Sequence, residues 1–156
     1  MNDEHDELEI IVPHSFAGSL KLSNTGTGNV EIYYWQGSKL EVKAKRLGDF
    51  KVTGHCVSEE VLLNDNGIGY ITFDTIIARS IAVNLNGSGR LSIEKLATDT
   101  ILLTKTGTGG AYIQDGQAHS GTIVNFGTGE TYLSGGFGKI SQNNSGTWSI
   151  DIRVTG

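Results

Sequence analysis

The chain has 156 residues, of which 22 are glycine, one is proline and one is cysteine, about twice the usual glycine share of roughly 7%. The glycines do not recur every third position, which excludes collagen; Cys56 stands alone, which excludes a disulfide framework; and no run approaches the ~18 apolar residues of a spanning helix. The formal charge of -5 matches the five acids Asp3, Glu4, Asp6, Glu7 and Glu9, and the twelve remaining acids balance twelve Lys and Arg, so the body offers neither a positive footprint for nucleic acid nor a basic face for a membrane surface.

The first nine residues, MNDEHDELE, are the opposite of a basic, apolar leader. The chain as given therefore reads as one soluble, unanchored domain. Residues 1–19 are expected to form an acidic segment with a capping strand at Leu8, Ile10 and Val12, closed by Pro13, and residues 20–156 the repeat domain.

Five short motifs follow in order: TGTGNVEI from Thr25, NGIGYITF from Asn66, NGSGRLSI from Asn86, TGTGGAYI from Thr106 and FGTGETYL from Phe126. Their second glycines are Gly28, Gly69, Gly89, Gly109 and Gly129, the last four spaced by twenty residues. Gly48, in the degenerate copy LGDFKV, fills the wide first gap, and SGTWSI adds a shorter copy at Gly146. A fixed period near twenty over about seven copies is the signature of a solenoid.

The pattern after each mark is that of a strand. Apolar residues alternate at Val30 and Ile32, Phe50 and Val52, Ile71 and Phe73, Leu91 and Ile93, and Ala111 and Ile113; Thr131 and Leu133, then Trp148 and Ile150, continue the series. Period two places them on one face. Six residues before each mark runs a column Leu22, Val42, Leu63, Val83, Leu103, Ile123 and Ile140. Two residues earlier run Leu20, Leu40, Val61, Ile81 and Ile101, ending in Gly121 and Gly138, with Phe137 and Trp148 expected to fill the space those glycines leave. A third, weaker site lies at Trp35, Ile76 and Leu96, with Gly116 and Gly136 after it. The expected fold is all-β, a single-stranded right-handed parallel β-solenoid of about seven coils, since right-handed connection is the default and the left-handed hexapeptide rhythm is absent. Glycine and the asparagines Asn64, Asn66, Asn84 and Asn86 are expected at the corner for positive φ.

These repeats, TGTGNVEI (25–32), NGSGRLSI (86–93), TGTGGAYI (106–113) and FGTGETYL (126–133), with VPHSFAGSLKLSNTGTGNVEI (12–32) before them, resemble those of bacterial adhesin families, among them the auto-transporter adhesin head (GIN) domain. The likeness spans roughly residues 8–150. The family's aspartate after the glycine appears only as Asp49, and Arg46 stands where a first glycine belongs. The resemblance implies a β-solenoid adhesion or interaction module, extracellular or in the cell envelope where a leader has been removed, and otherwise cytoplasmic.

Chemistry is sparse. The two outward columns read Asn29, Asp49, Tyr70, Arg90, Gly110, Glu130, Thr147 and Glu31, Lys51, Thr72, Ser92, Tyr112, Tyr132, Ser149. They pair no two carboxylates for glycoside cleavage, and place Glu31 beside Lys51 as an exposed ion pair. The histidines His5, His14, His55 and His119 share no repeat position, and Cys56 reads as a turn-side thiol without an oriented base. No catalytic residue, cofactor or metal is therefore expected. The candidate contacts are Tyr112, Tyr132 and Tyr70 on the outer face, for a protein or glycan, and Trp148 and Ile152 at the C-terminal edge, for a second copy. Carbohydrate binding or cleavage on the outer face is the alternative to adhesion.

Overall fold

The computed structural model describes residues 7–11, 18–24, 28–45, 48–146 and 150–154, with the backbone alone at 7–11, 24 and 150–154. Its elements are β1 (Glu7–Ile11), β2 (Ser19–Asn24), β3 (Asn29–Ala44), β4 (Phe50–Asp65), β5 (Ile71–Leu85), β6 (Leu91–Lys105), β7 (Ala111–Asn125), β8 (Thr131–Asn144) and β9 (Ile150–Val154). All described pairs are parallel in one sheet, in the order β1-β3-β4-β5-β6-β7-β8-β9, with β2 also on β3. Each long strand from β3 to β8 is bonded to the next along nearly its whole length, giving a solenoid of about six turns. A parallel ladder normally needs a helical crossover; here the remainder of each coil makes the crossing.

Register stacks like on like in the interior. Leu40, Val61, Ile81 and Ile101 form one buried column, Val42, Leu63, Val83, Leu103 and Ile123 a second, and Ile32, Val52, Phe73, Ile93, Ile113 and Leu133 a third. With coils about 4.8 Å apart, each side chain touches its equivalents above and below.

The last coil corrects the expected register. Ile140 lies opposite Gly121, its Cδ1 3.2 Å from where a Cβ there would sit, and Gln142, not Ile140, follows Ile123. One residue is missing between Ile113 and Gly116 on one strand and Leu133 and Gly135 on the other, so Gly135 rather than Gly136 continues the third site. Gly146 in turn stacks over Gly127, a first glycine, which makes Ile150 and Ile152 the partners of Thr131 and Leu133. Phe137 fills space at Gly116, where a Cβ would meet its ring at 2.7 Å, and not at Gly121 and Gly138.

A single extra residue in β4 has a similar effect. Gly54 (φ +81°) bulges there, its N–H donating to Asp74 Oδ2 at 3.0 Å. The insertion moves Cys56 into the column of Trp35, Ile76 and Leu96, fully buried. Cys56 is thus a core residue, not a turn-side one, and burial pushes its thiol up to about 12; it stays protonated and inert.

The corner glycines are needed for closeness, not for positive φ. Among the described residues positive φ occurs only at Tyr34, Gly54 and Gly135. A Cβ on Gly87, Gly107 or Gly127 would instead run into the carbonyl oxygen of the glycine one coil before. The asparagines serve a ladder: Asn86 Nδ2 donates to Asn66 Oδ1 at 2.9 Å, and Thr106 Oγ1 to Asn86 Oδ1 at 2.6 Å.

Beside this corner one column mixes polar residues into the interior: Asp65, Lys105 and Asn125 are buried in line with Ala44 and Leu85, and the exposed Asn144 ends it. Asp65 Oδ1 accepts from the Gly67 N–H at 2.9 Å, and Asn125 Oδ1 accepts from the Gly127 N–H at 3.1 Å in the same way. Asp65 Oδ2 is buried without a hydrogen-bond partner, and burial raises the carboxyl to about 6 against the help of Gly67. Lys105 donates to the Gly129 carbonyl; burial lowers its ammonium to about 8, opposed by nearby Glu130.

Candidate binding face

Alternation along β6, β7 and β8 turns Ser92, Tyr112 and Tyr132 outward, between the inward pairs Leu91 and Ile93, Ala111 and Ile113, and Thr131 and Leu133. The three outward residues are successive partners in register, so Tyr112 and Tyr132 are neighbours on successive coils. Just before each strand stand Tyr70, Arg90, Gly110 and Glu130. Their carbonyls accept from Phe50, Ile71, Leu91 and Ala111 N–H at 2.8 to 3.0 Å, which pins this second column coil to coil.

Gly110 decides how the two columns meet. A Cβ there would lie 2.7 Å from the Tyr112 ring and 3.0 Å from its hydroxyl, so the bare glycine is what lets the ring fold back over the column. Folded back, Tyr112 donates its hydroxyl to Glu130 Oε2 at 3.2 Å, and Arg90 stands 4.7 Å from its ring centre. The same guanidinium stands 6.0 Å from the Tyr70 ring. Cation–π contacts of this exposed kind contribute roughly 0.5–1 kcal/mol. Burial raises the Tyr112 hydroxyl, Glu130 adds to the effect and Arg90 opposes it, so the hydroxyl remains a donor at neutral pH.

Arg90, Ser92, Tyr112, Gln114 and Tyr132 line an open groove of about 490 Å³ on this face. None of the five is acidic, and among the described residues no carboxylate lies within ion-pair distance of Arg90. Tyr70 stands on the far side of Arg90 from Tyr112, outside the groove lining. Arg90, Gly110, Glu130 and Gln114 were not expected as site residues. Three of them occupy the outward column already written from the repeat, and the signal was that Arg90 and Glu130 flank a residue without a side chain.

Other expectations resolve differently. Glu31 and Lys51 are register partners but form no ion pair; Glu31 Oε2 accepts from Thr53 Oγ1 at 2.9 Å instead. A Lys–Glu pair does form at Lys21–Glu41, at 3.4 Å. His119 stands 3.8 Å from Asp99 on an exposed coil face, in a shallower groove of about 360 Å³ with Ile77 and Ala97. Among the described residues no group of three or more His, Cys, Asp or Glu could hold a metal. At the C-terminal edge Ile152 pairs with Leu133 in register, whereas Trp148 lies outside the described residues.

A family model described as "Putative auto-transporter adhesin, head GIN domain" matches residues 7–136, which is β1 through the buried part of β8. The chain belongs to this family. The adhesin-head family is not an enzyme family; it suggests an adhesion-type role, binding to some partner, and an extracellular or cell-envelope location. No curated protein and no solved structure matches the chain at a significant level. The matched segment contains the whole groove from Arg90 to Tyr132.

Proposed function

We propose that the chain is a non-enzymatic adhesion head that makes its contact through the outer face at Tyr112 and Tyr132, flanked by Tyr70. The observation that carries this reading is the pair of register-neighbour tyrosines bordering a groove beside an arginine with no acidic partner among the described residues. Tyrosine and arginine are enriched at recognition surfaces because they offer rigid area with a polar tip at low entropic cost. Cleavage is the weaker reading, because glycoside hydrolysis takes two carboxylates across the bond and the groove lining supplies none.

The test is adhesion itself. Beads coated with the wild-type chain, and with a Tyr112→Ser/Tyr132→Ser double variant, are compared for retention on cell surfaces and extracellular matrix under flow. Retention should fall several-fold in the double variant while its melting temperature stays within a few degrees. Equal retention of the two proteins would remove this face from the function.

A further inference from the structure

We infer that the groove takes an anionic sugar, with Arg90 receiving the carboxylate of a pyranose ring that lies across the tyrosines. The inference rests on the reading of this face as the contact surface and adds the chemistry of what is contacted.

The first argument is charge. Two ionised groups border Tyr112, Arg90 and Glu130, and they are not equivalent. Glu130 accepts the Tyr112 hydroxyl, and it lies close enough to the buried Lys105 to act on that ammonium electrostatically. Its charge is therefore partly offset by that ammonium. Arg90 stands 4.7 and 6.0 Å from the Tyr112 and Tyr70 ring centres, is hydrogen-bonded to the Tyr112 hydroxyl, and has no carboxylate within ion-pair distance among the described residues. That hydrogen bond takes one of the five guanidinium N–H donors and the ring contacts take none, so donors remain in the planar fork geometry that matches a carboxylate. The ligand's complementary group is an anion.

The second argument is shape and polarity. The groove is open along the outer side of the parallel sheet, so it suits a ring lying on it better than a side chain inserted into it. Its remaining lining is two tyrosines, one hydroxyl (Ser92) and one amide (Gln114), a set that stacks under the C–H face of a sugar and exchanges hydrogen bonds with its hydroxyls. A protein partner would need an interface of roughly 800 Å² per side with an apolar centre, whereas both tyrosines here are half-buried and the groove is bordered by polar groups. The favoured occupant is thus a carboxylated glycan, not an acidic peptide.

Gly110 supplies a variant that separates site from fold. The atoms a Gly110→Ala methyl would meet belong to the outer end of the Tyr112 ring, which can swing into solvent. The substitution therefore displaces the ring and leaves the interior columns in place.

Binding to the full chain would be measured calorimetrically, and by ligand-observed NMR where weak, for four probes. These are a galacturonic acid oligomer, its methyl ester, a sulfated galactose oligomer and a poly-glutamate peptide. The carboxylated oligomer should bind at least tenfold more tightly than its ester and the peptide, and the sulfated probe should fall between. Arg90→Gln should abolish the preference for acid over ester, with Arg90→Lys recovering part of it. Gly110→Ala should weaken every sugar at an unchanged melting temperature. The inference is overturned if acid and ester bind alike, if nothing binds, if the peptide binds as tightly as the uronide, or if Arg90→Gln leaves the preference intact. Failure here with adhesion still lost in the tyrosine double variant would remove the ligand class alone; adhesion unaffected by that variant would remove the contact face as well.

Discussion

Two sides of the same strands follow different rules. Inward along β5 to β8, Phe73, Ile93, Ile113 and Leu133 follow one another with one kind of side chain throughout. Outward and one residue away, Thr72, Ser92, Tyr112 and Tyr132 change from coil to coil. The cause is spacing. At about 4.8 Å between coils an inward side chain must fit its equivalents on both sides, while an outward one answers mainly to water. Recognition chemistry can therefore accumulate on the outer side with little effect on the fold, and departures from the repeat are where it is found.

The largest way to break this contrast is from inside. Leu63 is 2% exposed and sits mid-column between Val42 and Val83. Leu63→Ala should destabilise by about 2–5 kcal/mol in urea unfolding, and Leu63→Asp should not fold. A soluble Leu63→Asp protein with unchanged melting temperature would contradict the register.

The next effect has the opposite sign. The carboxyl of Asp65 is raised in the folded state, so the fold binds its proton more tightly than the unfolded chain does. Stability from this group is fully present below about pH 3.8 and is lost as pH rises through about 6. A shift of this size corresponds to roughly 3 kcal/mol. Asp65→Asn should keep the bond to Gly67, as Asn125 keeps its bond to Gly127, remove the charge, and stabilise the protein at pH 7 by about 1–3 kcal/mol. The gain should shrink toward pH 4; a variant less stable than wild type at pH 7 would show that the charge has an unseen use.

Lys105 sharpens the same point at the alkaline end. Its ammonium is lowered to about 8, so the folded chain holds fewer protons than the unfolded one between about pH 8 and 10.5. Wild-type stability should gain a rising contribution over that window, visible as a difference from Lys105→Met, which lacks the titration. Identical pH profiles would mean that the side chain reaches water.

The interior was legible from residues for the reason that gives it its regularity. A column such as Leu63, Val83 and Leu103 has one environment, so one residue type repeats, and the period alone locates it. The polar column was not legible. Asp65, Lys105 and Asn125 differ in charge and size, and their common property, proximity to turn backbone groups, exists only after the corner has closed. The register error at Ile140 arose because a single deletion near Gly135 leaves the glycine motif intact while changing which glycine it is. On the outer face the placing of Tyr112 and Tyr132 on successive coils followed from period and alternation. The reach of Arg90 over Tyr112 did not, because it depends on the empty place at Gly110.

The smallest expected effect is on the outside. Tyr112→Ser removes one cation–π contact and the exposed hydrogen bonds to Glu130 and Arg90 and should change stability by less than about 1.5 kcal/mol. The neighbouring Ile113 is 1% exposed. A serine scan across 91–94 and 111–114, with unfolding free energies measured at each position, tests the division most directly. A sawtooth of period two is expected, with large losses at Leu91, Ile93 and Ile113 and small ones at Glu94, Tyr112 and Gln114. A loss at Tyr112 equal to that at Ile113 would contradict it.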